Sequence, residues 1–174
     1  MSADLPAELD VWRAVSGRRQ FSGRVALADL DRLVSSLNID PKQLGSAEAR
    51  YSIGFDRDPI AGPFAELETE ADLPLVCQRS LEPFLLPVRI RQRLGLISKE
   101  EQADALPEEY EPVLVPESGL LAGRDLVEDE LILAVPAIPI KPGGAPVEAS
   151  FEPTAEELAA ASPFAVLAGL KPKR

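Results

Sequence analysis

Residues 65 to 96 carry an alternation that leaves the chain few options. In the first half the odd positions are Ala65, Leu67, Thr69, Ala71, Leu73, Leu75 and Cys77, while Glu66, Glu68, Glu70 and Asp72 take even ones. A period of two sends these sets to opposite faces of a strand. After Arg79 to Glu82 the parity inverts: Phe84, Leu86, Val88, Ile90, Leu94 and Leu96 are even, and Arg89, Arg91 and Arg93 are odd. An antiparallel hairpin pairs residues whose numbers have a fixed sum, and only an odd sum brings both apolar sets to one face. A sum near 161 does this and sets Asp72 opposite Arg89, Glu70 opposite Arg91 and Glu68 opposite Arg93. The sequence thus predicts a long hairpin over about 64–96, apolar beneath and ion-paired above. Each exposed pair contributes roughly 0.2 to 1 kcal/mol and serves register more than stability.

Other segments supply what covers that apolar face. Leu9, Trp12 and Val15 lie at helical spacing behind Pro6, with Gly17 as a stop, and predict a short helix over 7–16. Residues 21–27 read as a short strand. Leu30, Leu33, Val34 and Leu37 give an amphipathic helix, and the alternation from Ala47 to Phe55 gives a strand ending in the turn Asp56 to Pro59. Residues 98–112 are polar, punctuated by Pro107 and Pro112, and read as an exposed acidic loop that does not pack; Val113 to Val115 add a short strand. Around Arg124 to Lys141, Asp125 is expected to cap a helix in a capping box with Glu128, with an apolar stripe at Val127, Leu131, Ala134 and Val135. Pro136, Pro139 and Pro142 then hold the chain extended, as a stiff strand. The expected class is α+β: a small antiparallel sheet built on the hairpin and covered by two or three short helices, chiefly 28–37 and 125–135. Residues 1–140 read as one domain, and 141–174 as a linker and helical tail, in which Thr154 with Glu157 and Ser162 with Pro163 mark two short helix starts.

Charge and composition narrow the function classes. Eighteen basic against 29 acidic residues leave a net charge of −11, which repels nucleic acid at long range and favours solubility or a basic partner. The charge is blocked, however. Arg13, Arg18, Arg19 and Arg24 have no acid between residues 11 and 24, whereas residues 100–117 hold seven acids and no base. With no histidine and no nucleophile–base or phosphate-loop arrangement, nothing marks an enzyme. Glu128, Asp129 and Glu130 occupy adjacent helical positions that point to different sides, so they read as a solvated, dipole-favouring turn rather than a cation site. No apolar run approaches the roughly 18 residues of a membrane span and no signal peptide is evident, so a cytoplasmic protein is expected. A single cysteine agrees with a reducing compartment.

The arginines divide into two candidate sets for RNA. Arg89, Arg91 and Arg93 share a strand face at a spacing that can follow phosphates, but the facing acids of the hairpin neutralise them. Arg13, Arg18, Arg19 and Arg24 are the better candidates, and they stand equally as ordinary solvated surface. Phe164, Leu167 and Leu170 are either core or a docking peptide, and Gly143-Gly144 before them favours docking.

Three stretches carry a resemblance. Glu101 to Pro112, Asp125 to Pro139 and Ser162 to Lys171 resemble, in order and spacing, the YceD family of large ribosomal RNA subunit accumulation proteins. Leu75 to Phe84 is similar to that family's Cys-x-x-Cys-Leu-x-x-Phe segment. The resemblance implies a non-enzymatic ribosome-biogenesis factor needed for large-subunit (23S) ribosomal RNA to accumulate. RNA is then contacted through the arginines, or else an acidic adaptor holds a basic ribosomal protein and affects RNA indirectly. Many relatives carry two cysteine pairs, at the hairpin turn and after the proline segment, suited to four-thiolate zinc. Here Ser80 replaces the second cysteine and residues 140–147 have none, so no metal or other cofactor is expected and Cys77 reads as a core thiol.

Overall fold

The computed structural model describes residues 5–37, 39–40 and 44–143. Its frame is a five-stranded sheet in the order β2-β3-β4-β5-β6, formed by Gln20–Ala26, Glu48–Asp58, Gly62–Val76, Pro83–Ile97 and Tyr110–Leu114. Helices α1 (Val11–Ser16), α2 (Asp31–Leu37) and α3 (Gly123–Leu133) supply the apolar cover, making the protein α+β as expected. Two two-residue strands, β1 (Leu9–Asp10) and β7 (Leu120–Leu121), pair separately. The core joins Ile53 and Phe55 of β3, Leu67, Leu73 and Leu75 of β4, and Leu94 of β5 to Val11, Leu33 and Leu131 of the helices. Phe21 meets Phe55 edge to face, with ring centres 6.1 Å apart.

The β4–β5 hairpin spans the predicted length with the predicted faces. The odd residues Ala65 to Leu75 and Cys77 are buried, and Thr69 is accommodated among them because its hydroxyl donates to the Arg50 carbonyl at 3.0 Å. The register differs. Ala65 faces Leu94 and Glu70 faces Arg89, a sum of 159 rather than 161, with Glu68 opposite Arg91, Glu66 opposite Arg93 and Asp72 opposite Pro87. The cause is the turn. Leu81 takes a left-handed φ of 59° and donates its N–H to the Cys77 carbonyl at 2.8 Å, and Cys77 donates to the Glu82 carbonyl. That closes the loop on residues 78–81, one position earlier than expected, and a two-unit change in sum preserves which face each side chain occupies. At the other end of β4, Asp58 accepts from the N–H groups of Ile60 and Ala61, and Gly62 turns with φ 80°.

Several expectations are corrected. The first helix starts at Val11 and not at residue 7, because Leu9 and Asp10 pair with Leu121 and Leu120; Asp10 then caps by accepting from Arg13 N–H at 3.0 Å. The sheet is not wholly antiparallel, since β6 runs parallel to β5. The connection needed for a parallel partner is supplied by residues 98–109, which include a 3-10 helix, Glu100–Ala105. The stretch read as an acidic loop that does not pack therefore holds a helix, a strand and the buried Tyr110, which meets Phe64 edge to face. Leu106 from this connection lies over Gly95, where a Cβ would come within 2.6 Å of its Cδ1. Helix α3 begins at Gly123 behind Ala122, so Asp125 sits in its first turn instead of capping it. Residues 134–143 form no strand. The two tail helices expected after Thr154 and Ser162, with Phe164, Leu167 and Leu170, lie outside the described residues.

Candidate interaction surfaces

The outer face of the sheet collects most of the candidate arginines. Strand register aligns Arg24, Arg50, Glu70 and Arg89 in one row across four strands. Arg50 completes this row; its own strand's alternation gave the signal, since it shares parity with Glu48 and Ser52 rather than with buried Ala49 and Ile53. These arginines line a shallow concavity of about 540 Å3 together with Glu48, Glu70 and Asp72. Arg89 pairs with Glu70. Arg91 lies 3.1 Å from Glu66 and 3.3 Å from Glu68. Arg93 lies 3.6 Å from Glu66 and 3.7 Å from Glu109, with its guanidinium 5.8 Å from the Tyr110 ring centre. Thus Arg89, Arg91 and Arg93 are each met by carboxylates, while Arg50 stands beside Arg24 with no ion pair among the described residues.

The arginines that had no acid nearby in sequence gain some in space. Arg18, itself at φ 45°, reaches Asp56 at 3.0 Å, and Arg24 reaches Glu48 at 3.5 Å. Among the described residues no carboxylate forms an ion pair with Arg13 or Arg19, which line a small hollow with Pro6, Glu8, Leu9, Asp10 and Phe21.

The acidic turn of α3 corrects the sequence reading most sharply. Glu128 is only 6 % exposed. Its Oε1 accepts the backbone N–H groups of Arg32 and Leu33 at 2.8 and 3.0 Å, and its Oε2 accepts from the Arg32 side chain at 3.0 and 2.9 Å. Leu30, which precedes α2, has no side-chain acceptor, so Glu128 supplies the missing N-terminal cap from a helix nearly a hundred residues away. Asp129 holds the other side of Arg32 at 2.7 Å. Nothing in the local sequence of α3 marks Glu128 as the cap of another helix. Glu130, also buried, faces the edge strand β6 instead.

At the hairpin tip the turn 77–82 meets the proline segment. Gln78 N–H donates to the Pro139 carbonyl at 2.9 Å, Lys141 N–H to Cys77 Sγ at 3.4 Å, and Lys141 Nζ lies 3.3 Å from Glu82. The Lys141 N–H, then the hydroxyl and N–H of Ser80, bring the Cys77 thiol down to about 6 against the opposing effect of burial. A four-thiolate zinc site does not fit this junction: it offers one thiol, one hydroxyl, a lysine and the Glu82 carboxylate that the lysine pairs with, and no group of three potential ligands gathers among the described residues.

These features define a small α+β protein, with one sheet face packed under helices and the other carrying paired charges. A family model described as "Large ribosomal RNA subunit accumulation protein YceD" matches residues 65–171. The large ribosomal RNA subunit accumulation protein YceD of Haemophilus influenzae is 33 % identical over 175 residues, covering 97 % of this chain and 97 % of its own. No solved structure matches the chain. The chain belongs to the YceD family. No helix among the described residues is long and apolar enough to cross a membrane.

Proposed function

We propose that the protein is a non-enzymatic cytoplasmic factor that promotes accumulation of large-subunit ribosomal RNA, and that it acts chiefly by holding a basic protein of the assembling subunit. Family membership supports the first half. One observation carries the second: the strand arginines placed to follow RNA phosphates are already met by glutamates of the same sheet. Releasing an arginine from its glutamate offsets much of what a phosphate contact returns, while the net charge of −11 opposes approach of the RNA itself. A basic ribosomal protein meets neither obstacle. Phe164, Leu167 and Leu170 of the tail are a second contact for such a partner in this reading.

Direct RNA contact is the second reading, and Arg13 and Arg19, without ion-pair partners among the described residues, favour it. A density-gradient profile of the tagged protein in cell extract, with and without ribonuclease, separates the two. The adaptor migrates with a small basic protein, indifferent to ribonuclease and to Arg13→Ala with Arg19→Ala. Co-migration with large-subunit precursor RNA that ribonuclease and the double substitution both abolish would instead assign the function to those two arginines.

A further inference from the structure

The groove between β6 and α3 has the chemistry of a receptor for a basic side chain. Sheet order leaves β6 at an edge, and α3 lies over the β5–β6 margin. Leu94, Val113, Leu126 and Leu133 give the groove apolar walls, and Glu111 and Glu130 face one another across it. Glu130 is 8 % exposed, and among the described residues its carboxylate accepts no hydrogen bond and meets no cation; its oxygens are not sealed from solvent but open into the groove. A carboxylate so enclosed and without a cation is less well solvated than a free one. Burial, then Glu111 and then Asp129, push its pKa up, the direction expected of a charge left without a partner. Asp129, which also lines the groove, is itself engaged by Arg32. Glu130 and the exposed Glu111 thus stand without a cation among the described residues, in a groove otherwise lined by leucine, valine, Pro112 and Asp129.

We propose that this groove docks an arginine or lysine of a partner protein, its cationic head between Glu111 and Glu130 and its aliphatic stem on Leu94, Val113 and Leu133. The proposal rests on the adaptor reading and gives it a location. The volume, about 170 Å3, equals roughly five or six waters at ~30 Å3 each and suits a single guanidinium or ammonium with part of its stem. Leu133, 73 % exposed at the rim, offers apolar contact to residues flanking the basic one. Pro112 removes a backbone donor from β6, which disfavours addition of a whole strand and leaves side-chain insertion as the mode of entry. Phosphate is excluded by like charge, and no three potential ligands come together among the described residues to hold a metal ion.

The test is a titration of the full-length labelled protein, followed by NMR, with a short blocked peptide alternating valine and arginine. Amide shifts concentrated at Val113, Leu126 and Leu133 are expected. Citrulline in place of arginine should weaken binding about tenfold or more, because the charge-assisted hydrogen bonds are lost. Glu130→Gln, nearly isosteric, should weaken it about fivefold, while Glu101→Gln on the exposed 3-10 helix leaves it unchanged. Shifts confined to residues 100–109 would overturn the groove assignment and leave the adaptor reading standing. Failure to bind anywhere, combined with ribonuclease-sensitive co-migration in the gradient, would overturn both. If Lys171→Ala with Lys173→Ala and Arg174→Ala moves the groove resonances in the absence of peptide, the chain's own tail is the occupant and the partner assignment falls.

Discussion

Glu128 shows how much a single side chain can decide. It satisfies two backbone donors at the start of α2 and anchors Arg32 at the same time, so its loss strips a helix of its cap and leaves a guanidinium half paired. Glu128→Ala is expected to cost about 2 to 4 kcal/mol, between the cost of a lost cap and that of a broken buried pair. Arg32→Met should cost about 1 kcal/mol, because Arg32 is half exposed and Glu128 retains both N–H donors. Urea unfolding measures the contrast; equal losses below ~0.5 kcal/mol would return Glu128 to the role of solvated surface. Cys77 makes a second prediction at this scale. Folding favours its thiolate, so its contribution to stability is complete above about 8.5, the ordinary thiol value. That contribution shrinks as pH falls and is gone below about 6. Between those limits the wild type should gain stability with rising pH relative to Cys77→Ser, and thiolate absorbance should reach half its maximum at about pH 6. A midpoint above pH 8 would mean that the Lys141 and Ser80 donors do not act on the sulfur.

At the scale of elements, the hairpin separates what alternation specifies from what a turn specifies. Parity placed the apolar residues correctly, because any odd sum buries the same side chains. The choice between 161 and 159 lay with Leu81, a residue whose left-handed φ no composition rule for turns would single out. A double-mutant cycle reads the register directly. Glu70 and Arg89 should couple by about 0.2 to 1 kcal/mol, and Asp72 and Arg89 by close to zero. The reverse result would restore the sum of 161. The strand expected over Val113 to Val115 starts earlier, at Tyr110, and runs parallel to β5, for a related reason: Glu111 and Pro112 weaken the local signal, and only pairing with Arg93 to Ile97 makes Tyr110 to Leu114 a strand. Local propensity is weak there, and contacts distant in sequence supply the order.

For the whole molecule, electrostatics combine an internally balanced sheet face with an overall excess of negative charge. Screening acts on both, weakening exposed ion pairs worth little and relieving the repulsion of eleven net charges. The melting temperature should therefore rise between low ionic strength and physiological salt, where the screening length is roughly 8 Å. A fall would show that the lattice of Arg89, Arg91 and Arg93 contributes more to stability than exposed pairs normally do.

The sequence by itself determined the hairpin and its two faces, the α2 and α3 helices, the mixed fold class and the family, because periodicity and order of motifs are local properties of a chain. It also located the arginines, but not their surroundings. Only the tertiary structure decided that Asp56 and Glu48 answer Arg18 and Arg24, that Glu128 caps a helix across the core, and that Glu130 faces Glu111 without a cation among the described residues. Each of these depends on packing between segments far apart in sequence. A charge has no fixed meaning until the fold sets its distance from its neighbours and its exposure to water.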